Sequence, residues 1–367
     1  MRLRHRSLAV VAWSALAVLS VSANAYNVDT AASATKEQDK IGKIAARFKG
    51  SSLLLDQSIT PETFPGVQLS RVPSYQWWIS MRPRFYITSK LSLRMRFDLT
   101  IEWLNAGADT TRVRELQVGD FHTGLGYELP PFGGIKTTVG ANAVWGTSKD
   151  AIAATSVVKL GPTLGFSRTF ETKKAGTFGL GLNLSGSYNI VRYTSPGTLT
   201  AYDCTSLDFT SQACIASDGP MNTQGSLLAG VSATYSPPKA KALTFSVGYT
   251  VIDSWAYPVP DATLTNAAGE TTVVAHDVHD TRFRQKGWFI ASIDYDALDW
   301  FSLSLGYYCF GSMVSSDGNY NPFYKPGGAT RIFLTGSFAL DSLGETIARK
   351  VQKSKKTARF ASPIRPF

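Results

Sequence analysis

Little in this sequence is charged: Asp, Glu, Lys and Arg make up 17% of its 367 residues, against about 25% in soluble domains. Long apolar runs are equally scarce. Past residue 25 nothing approaches the roughly 20 consecutive apolar residues that a membrane-spanning helix requires. Cysteine occupies only three positions. Cys204 and Cys214 share one polar stretch and are expected to close a small disulfide loop in an oxidising compartment, which leaves Cys309 odd. Histidine is limited to four positions. The cluster His276-Asp277-Val278-His279-Asp280 lacks further spaced ligands, so no metal is assigned. The Gly-x-Gly pairs at Gly124 and Gly126 and at Gly179 and Gly181 lead into no helix, which excludes a phosphate loop. No cofactor is expected.

What the chain does have begins at its N-terminus. Arg2, Arg4 and Arg6, an apolar run from Leu8 to Val21 and the small residues Ala23-Asn24-Ala25 read as a secretory signal peptide over residues 1–25. Losing its three arginines lowers the formal net charge from +10 to +7 (10 − 3). A basic chain can bind nucleic acid, but export excludes that partner, and anionic lipid or solute fits better. An exported chain that crosses a membrane without apolar helices must do so as a closed barrel, because lipid offers no partners to backbone N–H and C=O groups.

Leu91 to Asn105 carries the clearest periodicity. Leu91, Leu93, Met95, Phe97, Leu99, Ile101 and Trp103 alternate with Ser92, Arg94, Arg96, Asp98, Thr100 and Glu102. A strand sends the two sets to opposite faces, whereas a helix would scatter them. The run is also longer than the 5 to 6 residues of an average soluble strand and matches the roughly 9 to 11 of a tilted membrane strand. The pattern recurs to the end of the chain. Trp77, Ile79, Met81 and Phe85 alternate with Trp78, Ser80, Arg82 and Arg84. Further runs centre on Phe121 to Leu129, Ile135 to Trp145, Val158 to Phe166, Thr177 to Tyr193, Leu227 to Tyr235, Leu243 to Val251, Trp288 to Tyr295, Phe301 to Cys309 and Thr330 to Leu340.

Connections alternate in length. Ile87 to Lys90, Pro130 to Gly134, Glu171 to Gly176, Ser236 to Ala242 and Asp296 to Trp300 are short; Ala106 to Arg114, Thr194 to Thr223, Ser254 to Thr281 and Ser312 to Ala329 are long. Thr147 to Ile152 is the exception. This asymmetry makes the first clear strand run away from the long-loop side, so another must precede it. Ser51 to Ile59 is the candidate, although Leu54 and Gln57 spoil its alternation. With it the count is even, at twelve, and both termini lie on the short-turn side. The expected organisation is a signal peptide, a short helical segment over residues 26–50 (Thr35 and Gln38 as capping box), a barrel over 51–340 and a basic tail over 341–367, with Ser342 and Glu345 capping a helix.

With these features the chain resembles the Gram-negative outer-membrane β-barrel class over roughly residues 51–340. The likeness rests on the signal peptide, the period-two strands, the turn and loop asymmetry, and aromatics near strand ends such as Trp77, Trp103, Tyr127 and Trp145. It implies an all-β, transmembrane, antiparallel up-and-down barrel in contact with outer-membrane lipid, with short turns in the periplasm and long loops outside. Members usually finish on a strand ending in an aromatic. Here Phe367 is on no obvious strand, and the tail follows Leu340.

Folding the first two clear strands about their short turn sets Arg82 near Arg96 and Arg84 near Arg94, on the lumen face. Like charges across strands repel, so the cluster needs anions, and Glu128 arrives at the same end. Lys136, Lys159 and Arg331 share the inward parity, as do Arg282, Arg284 and Lys286 if their strand starts that early. A second group is Asp98, Asp120 and His122, with Asp98 expected roughly opposite His122 and Ser80 one strand beyond. A hydrolase would need serine to touch histidine, and two strand spacings separate them. Twelve strands lie between filled small barrels and open wide porins. The expected function is therefore a channel for small anionic solutes, not an enzyme, with a plugged structural or surface-recognition barrel and a hydrolase as the alternatives.

Overall fold

Alternation of side-chain character is realised as twelve antiparallel strands that close on themselves. A computed structural model describes residues 47–64, 73–104, 114–194, 199–201, 215–217, 221–258, 262–265, 271–274, 282–314, 318, 320, 322–324 and 329–346. All of them belong to the unit spanning residues 45–367. The signal peptide, Cys204, Cys214 and the His276 to Asp280 cluster lie outside the described residues, as do most of segment 26–50 and of the basic tail.

The barrel strands are β1 (Ser52–Ile59), β2 (Tyr75–Arg82 continued by Arg84–Tyr86), β3 (Leu91–Glu102), β4 (Leu116–Val118 continued by Phe121–Glu128), β5 (Ile135–Trp145) and β6 (Ser156–Thr172). They are followed by β7 (Gly176–Val191), β8 (Thr223–Ser236), β9 (Leu243–Ala256), β10 (Phe283–Leu298), β11 (Phe301–Ser312) and β12 (Thr330–Ala339). The sheet counts fourteen segments, but two pairs are single strands interrupted at Pro83 and at Gly119–Asp120, which leaves 14 − 2 = 12. Pro83 lacks an N–H, yet its carbonyl accepts from Met95 N at 2.9 Å and the register is the same on both sides of it.

The weakest sequence signal proves to be the closing strand. β1 pairs antiparallel with β12 from Ser52↔Ala339 to Ile59↔Ile332, and with β2 on its other edge. Gln57, which broke the alternation, faces outward among apolar neighbours and accepts a hydrogen bond from Tyr75 Oη at 3.0 Å; Tyr75 Oη in turn accepts from Trp77 Nε1 at 2.6 Å. A polar outward residue is tolerated here because its partners come from the surface itself.

The burial pattern is inverted relative to a soluble domain. Ser58, Ser80, Ser92 and Asp98 are buried, while Leu180, Leu227, Val231 and Leu305 are exposed on the outer face. A continuous apolar exterior of this size requires lipid. Aromatics mark its two rims. Phe178 stacks on Tyr235 and Tyr235 on Phe245 near the short turns, while Trp77 meets Trp103 and Trp255 meets Phe283 near the long loops. Tyr188 and Trp255 lie ten residues above Phe178 and Phe245 on their own strands (188 − 178, 255 − 245). At about 3.4 Å per residue and a tilt of about 45°, that is about 24 Å of height, close to the roughly 25 Å apolar band of membrane barrels.

Thr147 to Ile152, the exception to the length rule, sits at the long-loop end and folds as a short helix, Lys149–Ala153, whose N-cap Ser148 accepts from Ala151 N. The C-terminal helix forms as expected but is capped differently. It starts at Leu340 and continues through Thr346, and Asp341, not Ser342, supplies the carboxylate at its start, accepting from Ser342 N and from Gly50 N at 2.9 Å each. Cys309 is free and 1% exposed.

Candidate functional site

β2 and β3 place the arginine cluster as their alternation requires. Arg84 is paired with Arg94, and the same register sets Arg82 across from Arg96. Arg84 Nη2 donates to Glu128 Oε1 at 2.8 Å, and its guanidinium lies 4.5 Å from the Tyr86 ring centre. Arg96 turns along its own strand and places Nε and Nη2 each 2.6 Å from Asp98 Oδ2. The other two arginines form no ion pair among the described residues. Arg82 Nε donates to Ser80 Oγ at 3.1 Å with its guanidinium 5.3 Å from the Trp78 ring, and Arg94 lies over Gly126, where an added Cβ would stand 3.0 Å from Nη2. Only a residue without a side chain leaves that guanidinium its bed.

One expected juxtaposition fails. His122 pairs with Arg96, not with Asp98. A long connection such as that after Asn105 does not fix register, and the pairing lies two residues from the expected one; a one-residue bulge also sits here, for Leu99 pairs with Val118 but three positions down β3, at Arg96 and His122, the partner sum has grown by one. Gly119 and Asp120 share the place opposite Asp98. Gly119 is obligatory there, since a Cβ would come within 2.9 Å of Asp98 Cβ. The extra residue also flips parity, so Val118 and Phe121 both face outward and His122 faces the lumen. Asp120 is drawn to the rim, where its Oδ1 accepts from Thr147 N (3.1 Å) and Ser148 N (3.0 Å). Glu102 is likewise a rim residue, accepting from Ser74 Oγ (2.5 Å) and Tyr75 N (2.9 Å). Ser80 does lie opposite Asp98 as expected, but it is fully buried and takes its hydrogen bond from Arg82.

Of the other groups on this wall, Arg331, Arg284 and Lys286 keep the parity expected of them, whereas the inward place of Trp288 escaped the sequence reading. Arg331 of β12 reaches across β1 to Gln76 Oε1 at 2.8 Å and Ser58 Oγ at 3.3 Å. Thr335 Oγ1 donates to Asp56 Oδ2. Trp78 is flanked by two cations, Arg82 and Arg96, the latter at 5.8 Å. On β10 the strand starts at Phe283, which gives Arg284 and Lys286 the inward parity and puts Trp288 inward with them; Trp288 is paired with Phe310 of β11. Asp294, hydrogen-bonded to Ser246 on the same face, fixes that parity and was its available signal.

The lumen is thus two-sided. The wall from β10 through β12 and β1 to β4 carries the long charged and aromatic side chains. The facing wall, β5 to β9, presents mainly small residues such as Gly165, Gly181, Asn183, Ser185, Gly230 and Ser232. Twelve strands at about 4.8 Å spacing and a tilt near 40° enclose about 24 Å, backbone to backbone. Among the described residues, long side chains on one side of the lumen face short ones on the other.

The fold and its apolar exterior define a closed, twelve-stranded antiparallel β-barrel of the kind that spans membranes. No family model and no curated protein matches the chain. Among solved structures it is similar to the NanC porin (10% identity, 79% of this chain and 98% of that one, TM-score 0.39). It is also similar to an outer membrane channel from Pseudomonas putida F1 (12%, 78% and 93%, 0.41). A third is the translocator domain of the autotransporter NalP from Neisseria meningitidis (10%, 84% and 96%, 0.31). The likeness is one of barrel architecture.

Proposed function

We propose that this chain is an outer-membrane channel that passes small anionic solutes. One observation carries the reading: two of the four clustered arginines, Arg82 and Arg94, reach the lumen with no carboxylate partner among the described residues, while Glu128 and Asp98 occupy the other two. A lumen closed by salt bridges would leave no such surplus, whereas an unneutralised guanidinium in a water-filled passage lowers the energy of a passing anion and raises that of a cation. The reading includes no catalytic step. Ser80 binds Arg82 and lies two strands from His122, so the nucleophile and base of a hydrolase do not meet.

In a planar bilayer under a salt gradient the reversal potential should fall on the anion side, most clearly at low ionic strength, where screening is weak. Arg82→Gln with Arg94→Gln should move it toward zero. A cation-selective wild type, or a double variant with the same potential, overturns the proposal.

A further inference from the structure

Charge alone does not explain the upper lumen. Trp288 and Phe310, paired across β10 and β11, meet edge to face with ring centres 6.5 Å apart, yet remain 42% and 40% exposed on the inner face. Porin interiors are polar, and a simple inorganic anion gains nothing from large rings left in water. Lys286, one step nearer the long loops, holds its Nζ 5.5 Å from the centre of the Phe310 ring. One step the other way Tyr308 packs on Phe333 at 5.9 Å, and Arg331 is the register partner of Tyr308. Beyond β1 comes Trp78 between Arg82 and Arg96. Rings and cations therefore alternate along one wall, from Lys286 near the long loops to the arginine cluster nearer the short turns.

Resting on the channel reading above, we propose that the solutes are carboxylates attached to a flat aromatic ring. A ring laid against Trp288 and Phe310 removes apolar surface from water and stacks with them. Its carboxylate then faces Lys286 and, lower down, Arg331 and Arg82. Neither feature alone selects such a solute: a purely hydrophilic anion uses only the cations, and an uncharged ring only the aromatics. The spacing of both along one wall serves a molecule that has both.

The test compares benzoate, acetate and benzyl alcohol as probes of the full-length protein. In single-channel recording benzoate should reduce the current at concentrations roughly tenfold below those at which acetate acts, a ratio of the size one aromatic contact provides. In detergent, benzoate should quench tryptophan fluorescence saturably, and benzyl alcohol should do so only weakly. Trp288→Ala with Phe310→Ala should make benzoate behave as acetate does. Trp288→Phe, which keeps a ring, should retain block while losing quenching. An anion-selective pore on which benzoate and acetate act alike overturns this inference and leaves the channel standing. Saturable quenching in a protein without conductance sinks the channel and keeps the site. Equal quenching by benzyl alcohol overturns the requirement for the carboxylate.

Discussion

Arg84 and Arg94 occupy directly opposed positions on neighbouring strands, and their guanidinium groups part company: one turns to Glu128, the other lies over Gly126. Opposed like charges destabilise a sheet, so the divergence depends on a carboxylate for one cation and an absent side chain beneath the other.

Glu128→Gln is therefore expected to weaken the fold and sharpen the selectivity at once. Arg84 loses its partner, at a cost of about 1 kcal/mol for a pair as exposed as this one, and the lumen gains net positive charge. Urea titration of the folded barrel reads the first effect. A reversal potential further to the anion side reads the second.

Parity predicts opposite outcomes for two adjacent residues. Leu182 faces outward near the middle of the apolar band and Asn183 faces the lumen, and both are exposed. Leu182→Arg should destabilise the barrel in lipid by about 2–4 kcal/mol. Asn183→Arg should leave stability nearly unchanged. Equal costs for the two would contradict the assignment of faces.

The bulge at Gly119 offers a packing test beside the Arg96–Asp98 pair. Gly119→Ala brings a methyl group within 2.9 Å of Asp98 Cβ and 3.4 Å of its carbonyl oxygen. Overpacking of this kind costs typically 1–3 kcal/mol. The expected readout is a lower urea midpoint, together with noisier conductance as the Arg96–Asp98 pair is displaced.

Topology is open to tagging. An epitope inserted in the long connection between β7 and β8 should be reachable on intact cells, and one in the turn at residues 173–175 should not. Reversed accessibility would invert every strand.

The strands were legible because a one-sided lipid environment writes period two into the sequence, as in Leu91 to Glu102. Even β1, spoiled by Leu54 and Gln57, was recoverable from the direction of its neighbours. The arginine pairs followed from one short turn, since a tight connection fixes register. His122 was misplaced by two residues because the long connection after Asn105 leaves the register of the next strand open, and the bulge at Gly119 and Asp120 shows itself only against Asp98. Trp288 and Phe310 were invisible for another reason. An apolar residue on a wet face looks the same as one facing lipid until Asp294 and Ser246, facing one another, fix the inside.

The pairing of Ser52 with Ala339 also sets a schedule. The two residues are 287 positions apart (339 − 52), and bringing ends that distant together costs on the order of 5 kcal/mol in chain entropy before any bond between them forms. The first strand finds its second neighbour only once residues 332–339 have been made. Until then both of its edges cannot be filled, and an unfilled edge in hydrocarbon has no water to bind. The chain must therefore travel to its membrane unfinished and complete itself there in a late, concerted step. A ribosome stalled before residue 330 would release a sheet with two open edges, fit for aggregation and unfit for insertion.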